Sequence, residues 1–186
     1  MSAQDKLNEY LTANQISFPA PAAPKGAYQT IVIADNWAYL SGHLPVEDGK
    51  LITGRLGEGE LEADIQAGYN AAKWAALNIL STLNNALGSL DKVESIVKIV
   101  GFVQCTDSFH SQANVLNGAS ELFMAIFGDG AGQAARSALG TNALPLDAMV
   151  EVEAVVKLKD YVFCSSIISV TEEFDNVTAG TDAIVF

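Results

Sequence analysis

Basic residues are scarce in this chain. Ten Lys and Arg stand against 22 Asp and Glu among 186 residues, a formal net charge of −12. A field of that sign repels phosphate backbones, and no run of Lys or Arg offers an arm for nucleic acid or an anionic membrane. Neither partner is expected. Cysteine is nearly missing: Cys105 and Cys164 are the two, and nothing around them resembles a disulfide framework or a zinc-ligand spacing. Cys105 closes an apolar run and reads as a buried thiol. No apolar stretch is long enough to cross a bilayer. Residues 1–15 are polar and amphipathic, without the apolar core of a signal peptide or the bias of a transit peptide. A reducing, cytoplasmic setting is the expectation. What is abundant is apolar: 49% of the residues are hydrophobic and 17% charged. That composition belongs to a globular chain. Its apolar excess fits a generous core or a face buried in an oligomer, and the second is preferred. The length allows one domain.

The pattern along the chain gives the fold class. Residues 2–13 read as a short helix with Leu7, Tyr10 and Leu11 on one face. Three prolines in Phe18-Pro-Ala-Pro-Ala-Ala-Pro24 then force an extended connector, so residues 1–27 form an N-terminal helix and a Pro-rich link. Residues 30–34 and 37–40 flank Asp35-Asn36 as a hairpin, and a short strand is expected at 50–53. Residues 61–87 carry Ile65, Tyr69, Ala72, Ala76, Ile79, Leu83 and Leu87 at intervals of three and four, a helix ended by Gly88. A second helix spans 111–127, with Val115, Ala119, Leu122 and Phe123 as its stripe. Strands follow at 134–140 and 149–158.

Two strands carry the assembly argument. By simple alternation, residues 93–105 put Val97, Ile99 and Val103 on one face and Ile96, Val100 and Phe102 on the other. Along the last strand, Ala148, Val150, Val152, Ala154, Val156 and Leu158 make one apolar face, while Met149, Glu151, Glu153, Val155 and Lys157 make the other. The expected architecture is an α+β layer, a mixed sheet with two helices packed on one face. A strand apolar on both sides then needs a second subunit over its other face. Residues 1–159 form the single domain. Residues 160–186, with a β-prone run at 161–170, are an extension of unknown role that is not expected to carry chemistry.

Five segments then stand out together. Tyr39-Leu-Ser-Gly-His-Leu-Pro45, Asn117, Ala135-Arg-Ser-Ala138, Leu144-Pro145 and Val150-Glu-Val-Glu-Ala154 resemble, in order and spacing, the RidA/YjgF family. The likeness spans residues 17–158. It is nearest the YjgF-like branch labelled endoribonuclease L-PSP, which carries a segment like Asn117-Gly-Ala-Ser120. The resemblance implies a chorismate-mutase-like fold and a homotrimer with sites between subunits. It implies no metal and no cofactor. Its deaminase members hydrolyse reactive 2-imino acids to 2-oxo acids and ammonia. Position by position it implies Arg136 as the grip on the substrate carboxylate and Glu151 as the acid that positions water, with Tyr28, Ser41 and Asn117 beside the substrate. Two positions depart from the pattern: Ala138 stands where active deaminases commonly have cysteine, and His43 where glutamine is frequent.

The chemistry suits those residue types. A planar guanidinium fixes a carboxylate in position and rotation, and a carboxylate can orient water and relay a proton. Other readings of the same residues stay open. Arg136 could form an interface ion pair with Glu151 or Glu153, and Glu151 could be a solvated strand residue. Tyr28, Ser41 and Asn117 could satisfy backbone groups. His43 and His110 would form an acid–base pair only if they met in space. Ser137 lacks the Gly-x-Ser-x-Gly surroundings of a hydrolase nucleophile. Three functions compete: an imine deaminase, a metabolite-binding regulatory trimer without turnover, and an endoribonuclease or translation inhibitor.

Overall fold

The computed structural model describes residues 1–159, so Cys164 and the run at 161–170 lie outside the described residues. Helix α1 (Ala3–Ala13) starts in a capping box: Ser2 Oγ accepts from Asp5 N at 3.2 Å, and the Asp5 carboxylate accepts from Ser2 N at 3.2 Å. After the proline connector, strands β1 (Ile31–Ala34) and β2 (Trp37–His43) form the expected hairpin. Two short strands, β3 (Val46–Glu47) and β4 (Lys50–Leu51), pair across Asp48 and Gly49, whose φ values of 46° and 79° suit a type I′ turn. Helix α2 (Leu61–Leu87) ends where Gly88 takes the left-handed conformation at φ 77°. Strand β5 (Val93–Gln104), helix α3 (Gln112–Phe127), strand β6 (Ala135–Thr141) and strand β7 (Val150–Leu158) complete the described fold.

The main sheet runs β1-β2-β7-β5-β6. Strands β5 and β6 are parallel, joined by α3 as a crossover, and the other pairs are antiparallel. Helices α2 and α3 cover one face, and α1 packs on α3. The α+β class expected from the sequence, a mixed sheet with two helices packed on one face, is therefore present. Strand β7 keeps strict alternation: Val150, Val152, Ala154, Val156 and Leu158 are buried, and the residues between them are half-buried.

Strand β5 does not alternate simply. Val93 opposes Leu158 while Ser95 opposes Lys157, and Ile96 opposes Val156 while Lys98 opposes Val155. Each slip sets two residues of β5 against one of β7, a β-bulge. Val93, Ile96, Ile99 and Val103 consequently all turn to the helices and are 0–4% exposed. This corrects the alternation, which grouped Ile96 with Val100 and Phe102 and Val97 with Ile99. Val97 is the extra residue of the second bulge.

The uncovered face carries Lys98, Val100, Phe102, Glu151, Glu153 and Val155, all half-buried. Val32, Tyr39 and Leu139 extend it at 50%, 49% and 47% exposure. On the covered side, a tight contact joins the two long helices. A Cβ at Gly118 of α3 would lie 2.0 Å from the Tyr69 carbonyl oxygen of α2, so only glycine lets the backbones approach this closely. Gly118→Ala should push the helices apart and cost about 1–3 kcal/mol, as overpacked cores do. Chemical denaturation should show the lower midpoint, with the far-ultraviolet circular dichroism of the native state retained.

Candidate functional site

The family-like residues fall into two clusters, on opposite faces of the sheet. The first gathers on the uncovered face beside a bulge in β2. Leu40 opposes Ala154 and His43 opposes Val152, so Ser41 and Gly42 together face one residue of β7. Ser41 donates from its backbone N–H to Thr30 O at 3.1 Å and from Oγ to Gln29 O at 2.7 Å. These two bonds fasten the end of the connector, and with it Tyr28, against the bulge. Tyr28 itself is 49% exposed, its hydroxyl accepting from Lys25 N at 3.4 Å.

Glu151 lies against this bulge. A Cβ at Gly42 would stand 1.8 Å from Glu151 Oε1, so the glycine makes the room the carboxylate occupies. Burial, and then the neighbouring Glu153 charge, push the Glu151 carboxyl above the usual value. A carboxyl raised this way is more basic than a free glutamate, which favours its accepting a proton.

The second cluster sits on β6, an edge strand. Arg136 pairs in register with Ile99, which faces the helices, so its side chain projects to the α3 side. Nη1 donates to Asn117 Oδ1 at 2.8 Å and Ser120 Oγ at 3.0 Å, and Nη2 donates to Ala113 O at 3.1 Å. Three partners spaced along one face of α3 hold the guanidinium plane. Among the described residues, two of its five N–H groups (the Nε one and one on Nη2) have no partner, and no carboxylate pairs with it. Arg136 and Glu151 do not meet within one chain. Glu151 opposes Phe102, which opposes Leu139, a row on the uncovered face. The ion-pair reading of Arg136 with Glu151 or Glu153 thus has no basis inside a single chain.

The remaining candidates have structural work. His43 is 2% exposed and bonds Ser41 O at 2.7 Å through Nδ1 and Thr82 Oγ1 at 2.8 Å through Nε2. A carbonyl only accepts, so Nδ1 carries the proton and Nε2 accepts from Thr82. Burial lowers the His43 pKa and keeps the ring neutral. Both nitrogens are committed, so no pair with His110 forms. Ser137 accepts from Lys98 Nζ at 2.9 Å on the uncovered face. Cys105 is buried, as expected.

Three contributors escaped the sequence reading. Ser120 and the Ala113 carbonyl complete the seat of Arg136; the spacing of Ser120, three residues after Asn117 on a helix, was the available signal. Gln104, 4% exposed, accepts from Leu144 N at 2.8 Å and donates to Gly54 O at 3.2 Å and to the Asp147 carboxylate. It anchors the Leu144-Pro145 loop, in which Leu146 and Asp147 take the left-handed φ values of 57° and 60°.

Comparison with known proteins shows what the chain is similar to. Residues 8–158 match the family described as "YjgF/chorismate mutase-like, putative endoribonuclease". Protein TCP17 of Trypanosoma cruzi is 40% identical over 146 residues, covering 78% of this chain and 89% of that protein. The crystal structure of Atu1372, a protein of unknown function from Agrobacterium tumefaciens, superposes with a TM-score of 0.76 at 34% identity, over 84% of this chain and 95% of that one. A putative endoribonuclease from Shewanella oneidensis superposes with a TM-score of 0.75 at 28% identity, over 85% and 100% of the two chains.

The raised carboxyl has a thermodynamic signature. A group whose folded pKa exceeds its unfolded value contributes stability below the unfolded value and loses it as pH rises through the folded one. Glu151→Gln should therefore be more stable than the parent near neutral pH, and the gain should vanish below the ordinary glutamate value of 4.5. Denaturant titrations from pH 4 to pH 8, at one protein concentration, read this directly. A gain that grows toward acid pH would reverse the assignment.

Proposed function

The chain belongs to the YjgF/chorismate mutase-like family, and from that premise we propose that it is a homotrimeric protein that binds small 2-oxo and 2-imino carboxylates and hydrolyses the imines to 2-oxo acids and ammonia. The observation that carries this reading is the splitting of the site. Each chain holds a seated guanidinium with two open N–H groups on one side of its sheet, and a carboxylate with raised pKa on the other. A complete site therefore calls for two copies, the Arg136 cluster of one facing the Glu151 cluster of the next. Repeated head to tail, such a contact closes into a ring where its rotation allows. The family resemblance supports three members.

The uncovered face supports the same assembly. Its apolar residues lie among charges that, among the described residues, lack full partners: Lys98 meets the Ser137 hydroxyl, and Glu153 has no hydrogen bond there. Covering it with a second copy buries the apolar area and offers each charge an opposite one.

The chemistry follows from positions. Arg136 holds the carboxylate, and the C=N carbon is then placed opposite Glu151. Glu151 takes a proton from water as the water oxygen bonds to that carbon. The C=N π bond breaks toward nitrogen, which takes up the proton. Glu151 then takes the hydroxyl proton of the adduct and passes it to the amine, and collapse breaks the C–N bond, releases ammonia and leaves the water oxygen as the new carbonyl. Imines are already electrophilic, so positioning supplies much of what such a reaction needs. RNA is not the proposed substrate, given the −12 charge. Ala138, in place of the common cysteine, favours a second reading in which binding persists without turnover. An assay with imines generated in situ separates the two, because only the first reading gives ammonia above the spontaneous rate.

Light scattering at micromolar concentration should give a mass of three chains; a monomer at all concentrations overturns the shared site. With oligomer content matched, Arg136→Ala should weaken 2-oxobutanoate binding, and any imine turnover, about 30-fold or more, the loss of a desolvated charge-assisted pair of at least about 2 kcal/mol. Arg136→Lys should rescue little, since an ammonium cannot reproduce the planar fork. Equal behaviour of all three proteins would remove Arg136 from the site.

A further inference from the structure

We propose that the cavity between the Pro-rich connector, the β3–β4 hairpin and α2 is a second binding site. Its ligand is a small arylalkylamine: a flat apolar ring with an N–H donor and, on a short arm, an ammonium group. None of its wall residues belongs to the Arg136 or Glu151 clusters, so the site is independent of the proposed imine chemistry.

Two buried polar residues of α2 build it. Asn78 and Ser81 lie three positions apart on one side of the helix and are 5% and 2% exposed. Ser81 Oγ donates to Pro19 O at 2.6 Å and fastens the connector. Asn78 Nδ2 donates to Trp74 O at 2.7 Å within the helix, and to Val46 O at 3.0 Å, which fastens the hairpin. Between the two fastened segments lies a cavity of about 270 Å³, with Ser17, Phe18, Pro19, Val46, Asp48 and Asn78 in its walls. It has room for roughly nine waters at ~30 Å³ each, the scale of a bicyclic molecule and not of a folded partner.

The walls set the chemistry of the ligand. Phe18, Pro19 and Val46 are apolar, as most of the lining of a small-molecule site is. The polar groups among them are chiefly acceptors. Both Nδ2 hydrogens of Asn78 are committed, while its Oδ1 takes no hydrogen bond among the described residues. That oxygen is not sealed in the core, as Asn84 Oδ1 is, and the cavity is the space it meets. Pro19 brings no N–H. A buried acceptor without a partner calls for a donor, which a carboxylate or a ketone does not have. Asp48 sets the other end of the ligand: it is exposed, in the hairpin turn, at φ 46°. Val46, whose carbonyl meets Asn78 Nδ2, is two residues of strand from Asp48, a span of ~6.7 Å. The indole N–H and the ammonium of tryptamine stand at a comparable separation. That ammonium is charged at neutral pH, as lysine's is, and the net charge of −12 draws it in.

The test is a ligand-observed NMR titration of the full-length protein with tryptamine, 3-(2-aminoethyl)benzofuran and indole-3-propionate. Tryptamine should bind about tenfold tighter than the benzofuran, an isostere that sets a ring oxygen against Asn78 Oδ1 where the N–H stood. Indole-3-propionate, an anion beside Asp48, should bind about fivefold weaker than tryptamine. Asp48→Asn keeps a residue that tolerates positive φ and should weaken tryptamine about threefold, narrowing the gap to indole-3-propionate. Asn78→Leu should erase the preference for tryptamine over the benzofuran; if that variant fails to fold, the ranking on the parent protein and Asp48→Asn decide. Equal binding of tryptamine and the benzofuran, or binding of none of the probes, overturns the site. So does a tryptamine titration that splits the oligomer in light scattering, because the cavity then belongs to a second copy. The affinity for 2-oxobutanoate should be the same with and without saturating tryptamine. Competition between the two overturns the separate site and leaves the Arg136 reading standing.

Discussion

The antiparallel pairing of β5 with β7, at the middle of the sheet, is the contact on which the other features depend. Its two bulges decide which β5 side chains join the helix-packed core and which stay on the uncovered face. Without them, strict alternation would turn Ile96 away from α2 and α3 and bring Ser95 and Val97 under the helices. With them, Val93, Ile96, Ile99 and Val103 fill one continuous apolar layer beneath two helices. At about 1.5–3 kcal/mol for each buried aliphatic side chain, that layer outweighs any single polar contact in the molecule. The same register carries Lys98, Val100 and Phe102 to the other side, where their neighbours on β7 are Val155, Glu153 and Glu151.

A third bulge, in β2, prepares one half of the site. It sets Ser41 and Gly42 against a single residue of β7, and Gly42, having no side chain, leaves the space that Glu151 fills. His43, next along the strand, is drawn under the sheet and tied to Thr82 of α2. A residue that looks available for proton transfer in the sequence thus becomes the pin that holds the bulge. The other half uses a different device. On the edge strand, Arg136 is stretched across three acceptors of α3, which fix its plane while two of its donors stay free. One half supplies a shaped anion grip, the other a carboxylate made more basic by burial and by a like charge. They share a sheet but not a face.

Much of this was legible before any coordinates. Helix α2 emerges at the expected bounds, because an apolar stripe at intervals of three and four over seven turns has one good solution. The faces of β7 were also readable, since alternation without a bulge maps sequence onto geometry directly. The faces of β5 were not. A bulge changes parity at one residue and leaves no composition signal, so Ile96 was assigned to the wrong side. Arg136, Glu151, Tyr28, Ser41 and Asn117 were nameable through a family resemblance. Gln104, which ties the Leu144-Pro145 loop through two bonds and Gly54 through a third, was invisible because its partners lie at positions 54, 144 and 147.

The sequence by itself determined the elements, the class of fold and the chemical inventory, since helix and strand periods and turn residues act over a few neighbours along the chain. Only the tertiary structure decided that Arg136 and Glu151 stand on opposite sides of one sheet, that Arg136 takes its partners from α3 and not from an acid, and that His43 is a neutral, buried strut. The physical reason is range. Propensity and periodicity are local, whereas the face a side chain takes depends on strand register, and register is set by pairing between residues some 50 positions apart.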